Sequence, residues 1–193
     1  LSGLVGSEMC IRDSAIAQHG IPRDATGNPQ DLMIIGMGKL GGRELNVSSD
    51  VDLIYVCTED GETDASTPGS RAIDTSTFFA KVGRRIAALL GEATADGFVF
   101  RVDLRLRPNG ESGPLIASLG MLEEYFIVQG REWERYAWIK ARVINQHRVQ
   151  TADQFANSVR NLYDVVRPFV YRRYLDFNVL AALRDLHSQI RQE

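Results

Sequence analysis

Two aspartates after a run of glycines carry the clearest chemical signal in this sequence of 193 residues. Asp50 and Asp52 are separated by one residue at the start of an apolar stretch, DVDLIYVC. On a strand, this spacing points both side chains to the same face. Two neighbouring carboxylates resist joint ionisation unless a cation lies between them, and oxygen ligands of this kind suit Mg²⁺. The alternative is a pair of solvent-facing acids without a ligand.

A third acid, Asp103, lies in the alternating segment GFVFRVDLRLRP at residues 97–108. The alternation predicts a strand with Asp103 on its polar face. The same face carries three arginines: Arg101, Arg105 and Arg107. Three clustered carboxylates can hold two metal ions for an in-line phosphoryl displacement. A row of unpaired arginines would repel itself, which favours a bound phosphate, although pairing with neighbouring acids would also relieve the repulsion.

The glycine-rich segment GMGKLGG at residues 36–42 comes just before the first two acids. Its glycines leave backbone N–H groups open to a phosphate, and Lys39 and Arg43 add positive charge. The letters fit the dinucleotide fingerprint G-x-G-x-x-G, but a strand with two acids follows within about ten residues instead of a long helix. Glycines followed by two spaced acids resemble the nucleotidyltransferase fold that includes polymerase beta.

The apolar pattern predicts the elements that hold these residues. Strands are predicted at residues 31–38, 50–57 and 97–108, and helices at residues 75–95, 118–129, 131–146, 151–166 and 167–192. We expect an α+β fold, with a polymerase-beta-like mixed sheet in a nucleotidyltransferase core at residues 15–117. An incomplete helical region follows at residues 118–193. Residues 1–14 lack periodicity and are assigned to a non-native tail, and residues 15–30 to a lead-in loop.

Composition excludes several classes of protein. Hydrophobic residues make up 44% of the chain and charged residues 24%, and the formal charge is −3. This balance argues against general binding of nucleic acid or of an acidic membrane surface. No apolar stretch approaches the roughly 18 residues of a membrane span. Cys10 and Cys57 form neither a disulfide framework nor a zinc pattern, so we expect a cytoplasmic protein.

Three segments together carry a family resemblance: GMGKLGGRELNVSSDVDLIYV, FVFRVDLRLRPNGESGPL and GREWERYAWIKAR. Over residues 30–193 the chain resembles the bacterial bifunctional glutamine synthetase adenylyltransferase/adenylyl-removing enzymes. The resemblance implies a longer parent protein with two related nucleotidyltransferase domains. One domain adds AMP to a tyrosine of glutamine synthetase, and the other removes it by phosphorolysis, which yields ADP. The segments GESGPL, WERYAWIKAR and VVRPFVYRRYLDF resemble the N-terminal, adenylyl-removing half.

The resemblance also implies ligands and partners. Mg²⁺ is the expected cofactor, with Asp50, Asp52 and Asp103 as metal ligands and catalytic residues. The expected partners are glutamine synthetase as protein substrate, phosphate and ADP or ATP, and a PII-type signal protein. Contacts to nucleotide or phosphate are expected from Gly38, Lys39, Gly41, Gly42, Ser49, Arg105, Arg107 and Lys140. Asn109 departs from the family pattern, which usually has a bulky aromatic residue there.

Two alternatives remain open at the level of sequence. The chain could adenylylate glutamine synthetase from ATP, or it could be a catalytically silent docking and regulatory module. Within GREWERYAWIKARV, an aromatic stripe that includes Trp133 and Tyr136 is typical of core packing, with Lys140 as its functional member. The basic, aromatic segment RPFVYRRYLDF at residues 167–177 indicates a packing helix, with contact to phosphate or glutamine synthetase as the alternative.

Overall fold

Our computed structural model describes residues 2–46, 49–65, 69, 71–91, 93–94, 97–98, 100–146, 152–171, 184 and 188. The helices are α1 (Ser2–His19), α2 (Gly38–Gly41), α3 (Thr75–Gly91), α4 (Leu119–Val128), α5 (Glu132–Ile139) and α6 (Ala152–Val170), with a 3-10 turn at Gly110–Ser112. The strands are β1 (Pro22–Arg23), β2 (Met33–Gly36), β3 (Val51–Cys57), β4 (Glu62–Thr63), β5 (Ala93–Thr94), β6 (Gly97–Phe98), β7 (Val102–Asp103), β8 (Ile116–Ser118) and β9 (Arg142–Val143).

β3 is the central strand of a mixed, five-stranded sheet. β2 runs antiparallel to it on one side, and β9 runs antiparallel to the outer edge of β2. On the other side of β3, β7 lies parallel to its first residues and β8 lies parallel to its last residues. The order of elements along the chain, with helices α4 to α6 after most of the strands, confirms the predicted α+β class with a mixed sheet and a helical part.

β2 and β3 are apolar on both faces because helices cover both faces of the sheet. One face packs against residues of α4, α5 and α6, and its buried members include Met33, Ile35, Ile54, Val56, Phe126, Trp138 and Phe155. The opposite face packs against α3, with Ile34, Leu53, Tyr55, Phe78, Phe79 and Val82 among its buried members. Alternation along β3 therefore turns Asp52 to the same side as Ile54 and Val56.

The predicted strand at residues 97–108 is shorter than the alternation suggests. Its last strand residue is Asp103, and residues 105–106 form a turn. Asn109 and Gly110 then adopt left-handed conformations with φ of 60° and 56°. Asparagine tolerates this region better than most residues, which gives Asn109 a local backbone role. The alternation of apolar and polar residues was misleading, because it shows the spacing of the apolar residues but does not reveal that the backbone turns at residues 105–106.

The predicted helix at residues 131–146 ends early, and its last part joins the sheet as β9. α5 stops at Ile139, and Arg142 and Val143 pair with β2. Asn145 extends this pairing through its side chain. Its Oδ1 accepts a hydrogen bond from the backbone N–H of Ile34 at 3.0 Å, and its Nδ2 donates to the carbonyl of Leu32 at 2.8 Å. These partners are distant in sequence, so local periodicity could not predict the strand.

One helix was not predicted, and another is longer than predicted. α1 includes residues 15–19, which were expected in a loop, and it packs against α3. α6 continues to Val170 with Pro168 in its last turn. The predicted helix beyond that point, with Arg172, Arg173 and Tyr174, lies outside the described residues except for three positions. The division at residues 14 and 117 remains a prediction. None of the helices in the described ranges is long and apolar enough to cross a membrane.

Candidate active site

The glycine turn between β2 and β3 lies directly beside a carboxylate. The backbone N–H of Met37 donates to the carbonyl of Asp52 at 3.0 Å, which ties the start of the turn to β3. Gly38 has a φ of 51°, a left-handed conformation that favours glycine. A Cβ added at Gly38 would lie 3.5 Å from Oδ2 of Asp52. The turn therefore brings open backbone against the Asp52 carboxylate.

The remaining part of the turn is held by the segment that follows α5. A Cβ at Gly41 would lie 2.0 Å from the carbonyl oxygen of Lys140, so no other residue fits there without a backbone shift. The guanidinium of Arg142 donates from Nε to the Gly41 carbonyl at 3.0 Å and from Nη2 to the Leu40 carbonyl at 3.1 Å. Sequence reasoning missed Arg142 because its partners are 101 and 102 positions away.

Parallel pairing brings the three predicted acids together. The register of β3 and β7 sets Asp52 beside Asp103, and Asp50 comes just before β3. The pKa of Asp52 is raised, first by loss of solvent around the half-buried carboxyl and then by the negative charges of Asp103 and Asp50. Asp52 therefore lies beside Asp103, with Asp50 outside the strand itself, and the assignment of the three acids as a metal site stays a prediction.

Each flanking carboxylate is paired with an arginine. Arg101 donates from Nε and Nη2 to the two oxygens of Asp50 at 2.7 and 3.0 Å. Arg105 donates from Nε and Nη2 to Oδ2 of Asp103 at 2.9 and 2.6 Å, and these hydrogen bonds lower the pKa of Asp103. The interpretation of the arginines as an unpaired row is therefore wrong for both. The turn at residues 105–106 folds Arg105 back onto its own strand.

Arg107 lies furthest from its expected position. It is not on the polar face of a strand, because the strand ends at Asp103. Its guanidinium instead donates to three backbone carbonyls: Leu104 at 2.6 Å, Glu111 at 3.2 Å and Gly113 at 3.4 Å. A tight loop leaves carbonyls without strand partners, and the five N–H groups of an arginine can satisfy several of them. In this structure Arg107 stabilises the GESGP loop.

The other predicted ligands surround the glycine turn. Nζ of Lys140 contacts Oε2 of Glu44 at 2.7 Å, and this hydrogen bond raises the pKa of Lys140. A Cβ at Gly42 would lie 3.3 Å from Cδ of Lys140, so the lysine stem passes close to the turn. Lys39 is exposed on α2, and Ser49 is half-buried just before the acids. The structure therefore brings Lys140 to the glycine turn, where it is already paired with Glu44.

The helix that leads to Lys140 is anchored by a different face than predicted. Trp133 is 41% exposed, so the expectation of a core position is wrong for it. Trp138 is buried instead, with its ring centroid 5.3 Å from that of Phe126 in an edge-to-face contact. The buried carboxylate of Glu134 accepts a hydrogen bond from the hydroxyl of Tyr125. The pKa of Tyr125 rises to about 12, mainly through burial and secondly through this bond.

The donor set suits a hard divalent cation. Carboxylate oxygens are the ligands that Mg²⁺ takes in proteins. The pKa of Asp52 is raised first by loss of solvent and then by the negative charges of Asp103 and Asp50, which a bound cation would offset. Asp52 also makes no side-chain hydrogen bond or ion pair with the residues that the structure describes. Among those residues, no group of three His, Cys, Asp or Glu side chains forms a ready-made metal site. Arg101 and Arg105 hold the two outer carboxylates.

Comparisons with known proteins indicate the family of this chain. A sequence model of glutamate-ammonia ligase adenylyltransferase matches residues 5–157. The chain is similar to the bifunctional glutamine synthetase adenylyltransferase/adenylyl-removing enzyme of Burkholderia mallei, with 61% identity over 178 residues, 92% of this chain and 19% of the relative. The enzymes with the same name from Ralstonia nicotianae and Shewanella oneidensis are 56% and 50% identical over 178 and 186 residues, 92% and 96% of this chain and 18% of each relative.

The chain thus spans less than a fifth of the length of these relatives. The family match covers most of the chain, and it includes the glycine turn, the three acids and α5. The chain belongs to the glutamate-ammonia ligase adenylyltransferase family, whose members are nucleotidyltransferases.

Proposed function

We propose that this chain removes AMP from an adenylylated tyrosine of glutamine synthetase by Mg²⁺-dependent phosphorolysis, with ADP as the product. The observation that carries the proposal is the β3–β7 register, which sets Asp103 beside Asp52, with Gly38 against the Asp52 carboxylate. The GESGPL and WERYAWIKAR segments favour the adenylyl-removing half of the parent enzyme over the adenylylating half. The relatives carry both activities in their names.

Asp50, Asp52 and Asp103 would hold Mg²⁺. When bound, the ion would neutralise charge on the phosphoryl groups and polarise the α-phosphoryl group of the substrate. Asp52 is the best-prepared ligand, because its carboxylate makes no hydrogen bond or ion pair with the described residues and is repelled by Asp103 and Asp50, although the charge of Arg105 attracts it. Oxygen from Asp50 and Asp103 becomes accessible when their arginines move away, and both arginines are exposed enough to do so.

The reaction depends on the position of the attacking phosphate more than on its deprotonation. An oxygen of inorganic phosphate attacks the α-phosphorus of AMP-tyrosine, and the bond from phosphorus to the tyrosyl oxygen breaks. The tyrosyl oxygen keeps the electron pair and takes up a proton, because its ordinary pKa is about 10. The attacking phosphate is already anionic, so orientation and charge stabilisation supply most of the acceleration.

The residues around the turn would seat the two anions. The open backbone at Gly38 supports an approach of the α-phosphoryl group to the carboxylates, and Lys39 adds exposed positive charge beside it. Arg105 lies next to Asp103 and could reach a phosphate held there. Contacts from Gly41, Gly42, Ser49, Arg107 and Lys140 are also part of the proposal. Gly41 and Arg107 also have structural roles. Gly41 packs against the carbonyl of Lys140, and Arg107 donates hydrogen bonds to carbonyls of its own loop.

The partners follow from the same assignment. Glutamine synthetase is the protein substrate, and the names of the relatives support this. A PII-type signal protein would regulate the reaction as part of the control of nitrogen assimilation in the bacterial cytoplasm. ATP is a ligand of the related adenylylating reaction.

The test is phosphate-dependent release of ADP from adenylylated glutamine synthetase in the presence of Mg²⁺. We expect Asp50→Asn combined with Asp52→Asn to lower this release at least about a hundredfold, since charge stabilisation at a phosphoryl group is lost. The matched control is Arg23→Gln, which breaks an arginine–aspartate pair outside the site. Full activity of the double variant would contradict the metal assignment.

The same preparation distinguishes the other directions. Incubation with labelled ATP and unmodified glutamine synthetase would transfer label to the tyrosine if the chain adenylylates. A chain that binds Mg²⁺ but shows neither reaction would be a docking and regulatory module, and the proposed activity would be wrong.

A further inference from the structure

Two arginines occupy the carboxylates that a metal would need. Arg101 contacts both oxygens of Asp50, and Arg105 contacts Asp103 through two nitrogens. Asp52 lies between them without a hydrogen bond or ion pair to any residue in the described ranges. Asp50 and Asp103 are therefore each held by an arginine, whereas the central carboxylate has no direct partner among the described residues.

Both arginines are free to leave. The side chain of Arg101 is 73% exposed and that of Arg105 is 69% exposed. Their guanidinium groups have no hydrogen bonds to described residues apart from those with the aspartates. Arg107, only a few residues away, is held by three backbone carbonyls. Rotation of Arg101 into solvent costs one exposed ion pair, which is a small loss. Rotation of Arg105 costs more, because the side chain of Asp103 is only 23% exposed.

We propose that Arg101 and Arg105 exchange partners during binding: they pair with Asp50 and Asp103 in the metal-free protein and turn to a phosphate anion once a divalent cation takes these carboxylates. The inference rests on the proposed function, because it needs a metal and a phosphate at this site. A guanidinium matches phosphate and carboxylate with the same planar pair of donors, so one side chain can serve either.

Partner exchange makes the two ligands cooperative. Without phosphate, the arginines compete with the metal for the carboxylates and weaken metal binding. With phosphate, the released guanidinium groups gain a new anion, which favours the metal-bound arrangement. Because binding linkage is reciprocal, Mg²⁺ must strengthen phosphate binding by the same factor as phosphate strengthens Mg²⁺ binding.

The experiment is calorimetric titration of Mg²⁺ into the metal-free 193-residue chain, without and with saturating inorganic phosphate. Without phosphate, we expect Arg101→Gln to bind Mg²⁺ about two- to fivefold more tightly than the wild type, the range that an exposed ion pair contributes. With phosphate, we expect wild-type Mg²⁺ affinity to rise by at least about threefold and the variant to gain less. Arg105→Gln should behave in the same way.

Matched variants separate exchange from simple charge effects. Arg23→Gln also removes one positive charge and breaks an arginine–aspartate ion pair, but this pair does not involve any of the three acids. The Mg²⁺ affinity of this variant should therefore equal that of the wild type. Arg101→Lys keeps the charge and loses the paired donors, so its response to phosphate should fall below that of the wild type. Circular dichroism checks that each variant is folded.

The outcomes are distinguishable. Weaker Mg²⁺ binding by Arg101→Gln would overturn the inference, since Arg101 would then hold Asp50 in place for the metal. An equal response to phosphate in the variant and the wild type, or no response in either, would also overturn it. If the wild type binds no Mg²⁺ at all, the proposed function itself fails, and the inference fails with it.

Discussion

The two ends of β3 belong to one strand and have parallel partners on the same side, yet they have opposite character. At the first end, Asp52 lies beside Asp103 of β7, where carboxylates repel one another. At the last end, Tyr55 and Cys57 are completely buried beside β8. Burial raises the pKa of the Cys57 thiol to about 12, so this thiol stays protonated.

This difference shows how a small sheet can support an unfavourable site. Gathering negative charge at one end destabilises the folded state, and the apolar residues at the other end must offset it. β8 and the helices cover the last residues of β3, whereas near the first residues the side chains of Asp50 and Asp103 remain 48% and 23% exposed. Removal of the negative charge of Asp52 should therefore raise stability, whereas substitutions that open the apolar end should lower it.

The largest effect is expected at the buried end. Tyr55→Ala removes a ring that packs against Gly83 and leaves a cavity, so the free energy of unfolding should fall by about 3–5 kcal/mol. Tyr55→Phe loses only the hydrogen bond to the Gly83 carbonyl and should cost about 1 kcal/mol. Urea denaturation of both variants measures the difference. A loss below that of Tyr55→Phe would show that β3 is not anchored at this end.

The next effect concerns the glycine turn near the charged end. Gly41→Ala places a Cβ against the carbonyl of Lys140 and should lower the free energy of unfolding by about 1–3 kcal/mol. Gly42→Ala is the matched control, because its Cβ would meet only side-chain atoms of Lys140 and Glu44 at 3.3 to 3.4 Å. Thermal unfolding of the pair measures the effect, and equal stabilities would contradict the close packing.

A smaller effect is expected for the residue that holds this turn from β9. Arg142→Gln removes hydrogen bonds to the carbonyls of Gly41 and Leu40 and should cost about 1 kcal/mol. Because the turn carries Gly38 against Asp52, Mg²⁺ affinity should also fall. Arg160→Gln, on the exposed side of α6, should change neither quantity. Unchanged Mg²⁺ affinity in Arg142→Gln would separate the turn from the metal site.

The smallest effect, with the opposite sign, is expected for Asp52. Its raised pKa means that the folded state holds the proton to higher pH than the unfolded state, so stability falls as pH rises through this interval. Asp52→Asn should remove this fall and raise the free energy of unfolding at neutral pH, by no more than about 0.5 kcal/mol. Urea denaturation of the wild type and of Asp52→Asn in EDTA, at intervals of about one pH unit from pH 3 to 7, measures the pH dependence of stability for both proteins.

Asp103 provides the contrast within the site. Its pKa is lowered by hydrogen bonds from Arg105, so it adds stability that is complete above the unfolded pKa and lost as pH falls through the folded value. Asp103→Asn should therefore lower stability at neutral pH, where Asp52→Asn raises it. If the free energy of unfolding changed in the same direction in both variants, the two carboxylates would not have opposite environments.

Much of the framework could be predicted from the sequence. The apolar runs at β2 and β3 and the helical spacing of α3 and α4 were located correctly, because burial on both faces or on one stripe leaves a local pattern. Asp50, Asp52 and Asp103 were assigned to the candidate site from residue type and spacing, and their role stays a prediction. Asn145 and Arg142 were missed, because a side chain that completes a strand or holds a distant turn leaves no periodic signal.

The sequence alone determined which residues could form a site, since residue types and strand periodicity set the donors and the face on which they lie. Only the tertiary structure decided which charges meet. The turn after Asp103 returns Arg105 to that carboxylate, the register of β3 and β7 brings Asp103 to Asp52, and β9 brings Arg142 to the glycine turn. Such pairings depend on distances between segments far apart in the chain, which become short only when the sheet is assembled.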